Sequence, residues 1–381
     1  MPATISFFRV DNGDMTLLTL QSEKRVLIDC NVRKAADDPG DKDAADVGTQ
    51  LRDRLARDSS GRPYVDVMVL SHPDADHCRG LEKHFHLGPI TDYPATGDKI
   101  IIREMWSSPI VFRRACNDHV LCPDAAAWSA EARRRVRLYI ESGSSPAGER
   151  ILILGEDVDG KTDDLGGILL KADQVTNSID GTWEYQFEAR LIAPAPAEGD
   201  EEELLTKNDS SAVLRFKLGS GTASDSCRLL TGGDAGVAIW EKIWARNKDG
   251  TDNLSYDLLL SPHHCSWRSL SYDSWSDLGE DAEVNADARD ALAQTRRGAK
   301  IIASSKSISD DESDPPCVRA EREYKAIAKD AGGEFICVGD DGPEPLEFVI
   351  ESGGLKPKGE EVRKSGPAVL IGREPQGHGA R

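Results

Sequence analysis

Short apolar runs separated by turn-forming residues organise most of this chain. The run Tyr-Val-Asp-Val-Met-Val-Leu at 64–70 is almost continuously apolar and predicts a short buried strand. Residues 183–191 alternate apolar and polar side chains, which is typical of a half-buried strand. Three stretches, at about 48–57, 124–140 and 318–331, predict helices.

The clearest sign of chemistry lies immediately after the strand at 64–70. Residues 71–77 read SHPDADH, so two imidazoles and two carboxylates stand on the turn that leaves the strand. A strand end holds the backbone while the turn lets alternate side chains converge, as a metal site requires. A polar turn with solvated charges is the alternative, but it does not explain four such groups in so short a stretch. The candidate ligands are His72, Asp74, Asp76 and His77.

The sequence SHPDADH resembles the His-x-His-x-Asp-His signature of the metallo-β-lactamase superfamily. It is most similar to the ComEC-like branch, in which the second histidine is an aspartate. Further blocks resemble that branch in the same order: FRVDNGD at 8–14, RVLIDCN at 25–31, KNDSS at 207–211, LLTGGD at 229–234 and LLLSPHHCS at 258–266. Because the order agrees across most of residues 1–350, the resemblance implies an αββα metallo-β-lactamase sandwich.

Three departures from the family pattern shape the expected layout. Gly233 is an extra residue before Asp234, Cys265 stands where the family has glycine, and the span from His77 to Asn208 is unusually long. The long span implies an inserted, partly helical region at 91–181, flanked by core segments at 1–90 and 182–352. Residues 353–381 are rich in Gly, Pro, Lys and Glu without periodicity, and we expect a disordered tail there.

The resemblance also implies which residues bind metal. His72 and Asp74 would bind one divalent ion, Asp76 and His77 would bind a second, and Asp234 would bridge the two ions. Such a pair of ions can share a hydroxide, lower the pKa of its parent water, and clamp the attacking and leaving oxygens of a displacement.

Two adjacent histidines, His263 and His264, compete for one remaining place in the second metal site. Neighbouring side chains at a strand end point in different directions, so we expect one histidine to bind metal and the other to contact the scissile group. We favour His263 as the ligand. His264 then joins Asp76 as a catalytic residue.

Asn208 stands where relatives outside this branch place a third histidine. It either contributes a weak amide ligand or caps a turn through its side chain. Together with Asp74 it shifts the donor set from nitrogen towards oxygen, and oxygen donors suit Mn²⁺ better than Zn²⁺. The cofactors we expect are therefore two divalent ions, Mn or Zn. The expected substrate-binding residues are Asn208, Ser211, Ser266, Arg133 and Arg134.

Charge limits the choice of substrate. The 381-residue chain carries a formal net charge of −20, which repels nucleic acid at long range. A locally basic region could still hold a phosphate-bearing substrate, although an arginine-rich solvated helix face is an equal alternative. The arginines in this region are Arg103, Arg113, Arg114, Arg133, Arg134, Arg135 and Arg137.

The sequence also bears on the cellular compartment of the protein. It contains no apolar stretch near membrane-spanning length and no basic-then-apolar leader, so we expect a cytoplasmic protein without membrane association. The eight cysteines lack paired spacing, which is typical of reduced thiols in that compartment.

These observations predict a metal-dependent hydrolase, with a phosphodiesterase or nuclease acting on nucleic acid or a nucleotide as the first hypothesis. In membrane-spanning members of the branch, a domain of this kind is attached to a DNA-uptake channel that this sequence lacks. A hydrolase of lactones, amides or thioesters is the second hypothesis. The third is a non-enzymatic or partner-gated module whose insertion binds another protein.

Overall fold

A computed structural model describes residues 2–38, 40–41, 43–109, 121–156, 160, 162–196, 208–340 and 342–358. Most of the described strands belong to two large sheets. The strands of the first sheet are β1 (Ala3–Phe7), β2 (Thr16–Thr19), β3 (Arg25–Ile28), β4 (Ala56–Arg57), β5 (Pro63–Leu70), β6 (Phe85–His86), β7 (Ile100–Ser107), β8 (Arg150–Leu154), β9 (Leu169–Leu170), β19 (Leu346–Glu351) and β20 (Gly354–Pro357).

The second sheet is built from the middle of the chain. Its strands are β10 (Val175–Thr176), β13 (Phe187–Ala193), β14 (Val213–Ser220), β15 (Ala223–Thr231), β16 (Tyr256–Leu260), β17 (Thr295–Ala303) and β18 (Glu334–Cys337). A small hairpin joins β11 (Ser178–Ile179) to β12 (Thr182–Trp183).

Helices flank both sheets. They are α1 (Val47–Arg54), α2 (Ala75–Cys78), α3 (Leu81–His84), α4 (Pro123–Ser142), α5 (Val237–Asn247), α6 (Trp275–Leu278), α7 (Ala286–Leu292) and α8 (Val318–Asp330). The helices predicted at 124–140 and 318–331 correspond to α4 and α8. The long helix α4 starts at Pro123, where the missing N–H costs nothing, and ends before Gly143, which adopts the left-handed conformation.

Along each sheet, the pairing of neighbouring strands changes once from antiparallel to parallel. The order of the first sheet is β20-β19-β1-β2-β3-β5-β7-β8-β9, antiparallel as far as β3 and parallel from β3 onward. The order of the second is β10-β13-β14-β15-β16-β17-β18, antiparallel as far as β15 and parallel beyond it.

Three hydrophobic cores define the layers. The central core lies between the sheets and combines side chains of both, such as Val67 and Leu214. A second core lies under the helices of the first sheet and includes Trp128 of α4. A third lies under those of the second sheet and includes Trp240 of α5. The order helix, sheet, sheet, helix confirms the α/β sandwich predicted from the sequence.

Residues 91–181, which we expected to form an insertion, are built into this sandwich. They contribute β7, β8 and β9 to the first sheet, and α4 packs on β8. Strand β20 likewise continues the first sheet past residue 353, so the tail cannot begin there; residues 359–381 lie outside the described part. Among the described helices, none combines the length and the apolar character needed to cross a membrane.

Candidate metal centre

The candidate metal centre lies where loops from both sheets meet. Strand β5 of the first sheet ends at Leu70 and is followed directly by the SHPDADH turn. In the second sheet, β15 leads to Asp234, and its parallel neighbour β16 leads to the two adjacent histidines. A backbone hydrogen bond from the Ala212 N–H to the Ser71 carbonyl (2.9 Å) ties the two sheets together here.

Asp234 is the centre of the arrangement, because its two carboxylate oxygens face different pairs of imidazoles. Its Oδ1 lies 2.9 Å from the Nε2 of His77 and 3.5 Å from the Nε2 of His264. Its Oδ2 lies 3.5 Å from the Nε2 of His72 and 3.6 Å from the Nε2 of His263. A carboxylate placed in this way can contribute one oxygen to each of two neighbouring cations.

The Oδ1 side of Asp234 is the more complete of the two. Ligand atoms of Asp76, His77, Asp234 and His264 all lie within 4.8 Å of one another. The Nε2 of His264 is also 3.4 Å from the Oδ2 of Asp76. Both histidines of this group have no exposed side-chain surface, which is the environment in which a cation is held away from bulk water.

The donor set fits a divalent cation. Several buried nitrogen and oxygen atoms of the centre have no hydrogen-bond partner within the described part of the chain, a costly state unless another group satisfies them. They are the Nε2 atoms of His72 and His77, the Oδ1 of Asp234 and both ring nitrogens of His264. Imidazole nitrogens and carboxylate oxygens are also the side-chain ligands that Zn²⁺ and Mn²⁺ accept.

The two adjacent histidines occupy different parts of the centre. His264 belongs to the group with Asp76 and His77, whereas His263 faces the Oδ2 side of Asp234. The side chain of His263 is 17% exposed, while that of His264 is fully buried. This geometry favours the reverse of the expected assignment, with His264 as the ligand and His263 as the histidine that solvent can reach.

Two buried carboxylates behind the centre were absent from the predicted site. Asp29 accepts hydrogen bonds from the backbone N–H (2.7 Å) and hydroxyl (2.7 Å) of Ser71, and from the Nδ1 of His77 (2.8 Å). The Oδ1 of Asp14 lies 3.5 Å from the Nδ1 of His264. A carboxylate on the far nitrogen fixes the tautomer and orientation of a ligating imidazole. Both aspartates lie in the two N-terminal blocks that carried the family resemblance, which was the available signal.

The turn that carries Asp234 depends on two glycines. A Cβ at Gly232 would lie 2.8 Å from Pro262, and one at Gly233 would lie 3.1 Å from the Cβ atoms of both Ser71 and Ser211. Gly233 also has a positive φ of 47°. The extra glycine noticed in the sequence therefore lets the turn pass between the loops of the two sheets.

The histidines and aspartates of the centre carry opposite charges and shift one another's pKa values. Burial lowers the pKa of His264, but Asp234 and Asp14 outweigh burial and raise it to about 10. Burial also lowers the pKa of His77, and Asp234 and Asp29 nevertheless hold it well above its usual range. For Asp234, burial raises the pKa, yet the facing histidines hold it well below its usual value. Cation binding here would release protons and would weaken at low pH.

The remaining predicted site residues on the loops lie around this centre without joining the four-residue group. Asp74 is the N-cap residue of α2, and its backbone carbonyl accepts from the N–H of His77 (3.1 Å). The backbone carbonyl of Asn208 accepts from the N–H of Ser211 (3.0 Å). The hydroxyl of Ser211 accepts from the N–H of Asp234 (3.2 Å), so Ser211 supports the turn of that carboxylate.

Ser266 supports the histidine loop from the other side. Its hydroxyl donates to the Oδ1 of Asp314 (2.6 Å) and accepts from the N–H of Arg268 (3.1 Å). The same Asp314 oxygen accepts from the N–H of Trp267 (3.0 Å). Because these bonds occupy the hydroxyl, the structure gives Ser266 a positioning role at the start of a short 3₁₀ turn.

The predicted substrate-binding arginines of α4 are not brought to the centre. Arg134 pairs with Glu131 (2.7 Å) and Glu149, and Arg133 is exposed on the helix. The buried Arg135 donates to the carbonyl of Ile102 (3.0 Å), which is five residues before the end of β7. At about 3.3 Å per residue, that is roughly 16 Å from the strand end beside the centre. Arg113 and Arg114 lie outside the described residues.

Comparisons with known proteins give the chain no family. No protein-family model matches it, and no curated protein matches its sequence. Among solved structures, a mutant of CmlA beta-hydroxylase is similar with a TM-score of 0.35 and 8% sequence identity. The match covers 92% of this chain and 54% of that protein, so this chain spans about half the length of the neighbour. The description of the α/β sandwich and of the candidate metal centre therefore rests on the geometry of this chain.

Proposed function

We propose that this protein is a hydrolase of phosphodiesters that depends on two divalent ions, Mn²⁺ or Zn²⁺. The observation that carries the proposal is the geometry of Asp234, whose two oxygens face His77 and His264 on one side and His72 and His263 on the other. The resemblance of the SHPDADH block to the ComEC-like branch of the metallo-β-lactamase superfamily supports the same assignment. Asp74 would complete the His72 side.

The reaction would be hydrolysis of a phosphate ester. Oxygen from water bonds to phosphorus, the bond from phosphorus to the leaving oxygen breaks, and that oxygen takes up a proton. The products are a phosphomonoester and an alcohol. When bound, two divalent ions lower the pKa of water and neutralise charge on the phosphate oxygens.

Residues of the chain supply orientation and proton transfer. Asp29 holds the ring of His77 from behind through a hydrogen bond to Nδ1, and the carboxylate of Asp14 lies 3.5 Å from the Nδ1 of His264. Among the residues of the centre, Asp76 and His263 have the accessible side chains, at 33% and 17% exposed. We assign His263 to contact with the substrate, where its imidazole can hydrogen-bond to the leaving oxygen.

This assignment predicts different outcomes for the two adjacent histidines. His264→Ala should lower the number of bound metal ions, because it removes a buried ligand and leaves an incomplete coordination sphere. His263→Ala should retain most of the metal and lose turnover by about 100-fold, the usual contribution of a general acid or base. Metal content by plasma mass spectrometry and turnover of the same preparations separate the two. Loss of metal from His263→Ala alone would reverse the assignment.

The carboxylate ligands of the centre favour phosphate chemistry over carbonyl chemistry. Asp76 and Asp234 contribute carboxylates to the centre, and hard oxygen donors suit ions that bind phosphate oxygens. The net charge of −20 favours a short substrate over long duplex DNA.

A substrate panel tests the proposal directly. Metal-free protein is reconstituted with Mn²⁺ or Zn²⁺ and assayed against single-stranded DNA, duplex DNA, RNA, cyclic dinucleotides, and carboxylic ester and thioester substrates. Phosphodiester cleavage that disappears in Asp234→Asn supports the proposal, and Asp173→Asn, an exposed substitution in a loop before β13, serves as the control. Cleavage of carbonyl substrates alone would replace it with the second hydrolase class. Stoichiometric metal binding without any turnover would favour the partner-gated module.

A further inference from the structure

A second feature beside the centre is a cavity of about 320 Å³ on the surface of the second sheet's helix layer. It lies between the loop that follows the two histidines and the segment before α8. The lining side chains that matter here are Arg268, Tyr272, Asp273, Trp275, Glu312 and Asp314.

The segments that line the cavity also run beside the candidate ligands: Asp314, a lining residue, accepts from the Ser266 hydroxyl (2.6 Å), and Ser266 follows His264 by two residues. Arg268 follows His264 by four residues on the same loop. The hydroxyl of Ser269 donates to the carbonyl of Ala235 (3.1 Å), which adjoins Asp234 in the chain. Next to the lining residue Asp314 in the chain, the carbonyl of Pro315 accepts from the side chain of Asn12 (3.0 Å), two residues before Asp14. The cavity is therefore bounded by the same loops that hold the ligands.

The aromatic side chains of the cavity are suited to a flat ligand. Tyr272 is 64% exposed, and its hydroxyl donates to the carboxylate of Glu241, which fixes one end of the ring at the cavity. Trp275 is half-buried, and its Nε1 donates to the carbonyl of Asp311 (3.4 Å), which holds the indole at the wall. Exposed aromatic rings near a phosphate site are the usual stacking surface for a nucleobase.

The charged side chains of the cavity favour a ligand with one phosphate over a ligand with several. Within the described part of the chain, no carboxylate pairs with the exposed guanidinium of Arg268, which leaves it available to a phosphate. Asp273, Glu312 and Asp314 line the same cavity and would repel further phosphates. A long polyanion fits this combination poorly, whereas a nucleoside attached to a single phosphodiester fits it well.

We infer that this cavity is a subsite for the nucleoside part of a short phosphodiester substrate. Tyr272 and Trp275 stack on the base, and Arg268 contacts the phosphate that reaches the metal centre. The inference rests on the proposed function, and it adds the substrate class: a small nucleotide or the end of an oligonucleotide.

Two substrates with the same leaving group provide the test. Thymidine 5′-(p-nitrophenyl phosphate) and methyl p-nitrophenyl phosphate both release p-nitrophenol, and they differ in the nucleoside. Wild-type protein should have a higher kcat/KM for the thymidine ester. Tyr272→Ala and Trp275→Ala should each lower that value by about tenfold, the loss expected for one stacking contact, and leave the methyl ester unchanged.

Matched variants control for nonspecific effects. Trp183 and Tyr185 are aromatic side chains on the β11–β12 side of the molecule, and they are 65% and 58% exposed. Their alanine variants should leave kcat/KM unchanged for both esters. Trp275→Phe should restore most of the preference because a phenyl ring also stacks. Arg268→Gln should lower kcat/KM for both esters, and Arg297→Gln, at an exposed position of β17, should lower neither.

The outcomes separate this inference from the proposed function. If both esters turn over and the aromatic variants affect them equally or not at all, the subsite is wrong and the phosphodiesterase stands. If neither ester turns over, binding of thymidine 5′-monophosphate to the metal-loaded protein is measured by calorimetry. Affinity above that for inorganic phosphate, lost in Trp275→Ala, would keep the subsite without the activity. Equal affinity for thymidine 5′-monophosphate and inorganic phosphate would overturn the nucleoside subsite.

Discussion

Asp29→Asn is the substitution that tests the metal centre most sharply. It replaces one carboxylate oxygen, a hydrogen-bond acceptor, with an NH₂ donor and leaves the side-chain volume almost unchanged. Asp29 is 1% exposed and lies behind His77, outside the four-residue group. Its φ of 56° lies in the left-handed region, which Asn tolerates nearly as well as Asp. Alanine at this position would add a backbone penalty and confuse the result.

The expected effect follows from the hydrogen bonds. The carboxylate accepts from the Ser71 N–H at 2.7 Å and from the His77 Nδ1 at 2.8 Å through different oxygens. In Asn, the oxygen stays with the Ser71 N–H, and the amide NH₂ faces the His77 Nδ1. That nitrogen must then accept, so the proton moves to Nε2, the atom needed for the metal. Lost support of this kind costs about 10- to 100-fold in metal affinity, or about 1.4–2.7 kcal/mol, and we expect the upper end.

Competition with a chromophoric chelator measures the apparent Kd for Zn²⁺ and Mn²⁺. Asp173→Asn is the matched control, because Asp173 has a similar φ of 67° and lies on the surface away from the centre. If Asp29 acts through His77, the substitution should cost nothing further in a His77→Ala background. Wild-type affinity in Asp29→Asn would refute the role of the carboxylate, and a full second loss in the double variant would show that it acts elsewhere.

Three further predictions concern stability, thiol chemistry and metal preference. Arg135→Met should lower the free energy of unfolding by about 3–5 kcal/mol in urea titrations, because it breaks a buried ion pair, whereas Arg133→Met should change it by less than about 0.5 kcal/mol. The Cys78 thiol lies 3.7 Å from that of Cys122 and lowers the pKa of Cys122 to about 6. The rate of Cys122 alkylation, measured by peptide mapping, should therefore rise with pH up to about 6 and then stay constant. In Cys78→Ala, this rise should move to higher pH. Reconstituted wild-type protein should be more active with Mn²⁺ than with Zn²⁺, and Asp74→His should shift the preference towards Zn²⁺; a wild type active with Zn²⁺ and inert with Mn²⁺ would contradict this.

The layered fold was predictable from the resemblance of the ordered sequence blocks to the metallo-β-lactamase superfamily, and the hydrophobic pattern predicted individual elements within it. The apolar run at 64–70 became β5, and its register with β7 and β3 is that of a central parallel strand, buried on both faces. The place of residues 91–181 was not predictable. Strands β8 and β9 are short, and β9 has only two residues, too few for a hydrophobic period to be recognised.

The phosphate-binding role expected of the α4 arginines shows why composition misleads about a site. Clustered arginines on one helix suggest a basic face, but helical spacing also places Arg134 and Arg135 three and four residues after Glu131. Ion pairs within the helix then absorb the charge. Arg268 lies outside this helix, is exposed, and has no ion pair with a carboxylate among the described residues.

The assignment that we propose for the adjacent histidines was not accessible from the sequence, because it depends on backbone geometry. His263, His264 and Cys265 all have positive φ values, of 50°, 52° and 68°. An ordinary strand end would point neighbouring side chains to opposite sides, whereas this left-handed run brings both imidazoles to the same carboxylate, one on each oxygen. Three consecutive residues in that region are costly, and such strain persists where surrounding contacts enforce it. Here the hydrogen bond from the His263 N–H to Gly233 (2.9 Å) and the bonds of Asp314 to the following turn supply those contacts. Cysteine at position 265, where the family resemblance leads one to expect glycine, shows that the loop keeps this shape without the residue that favours it.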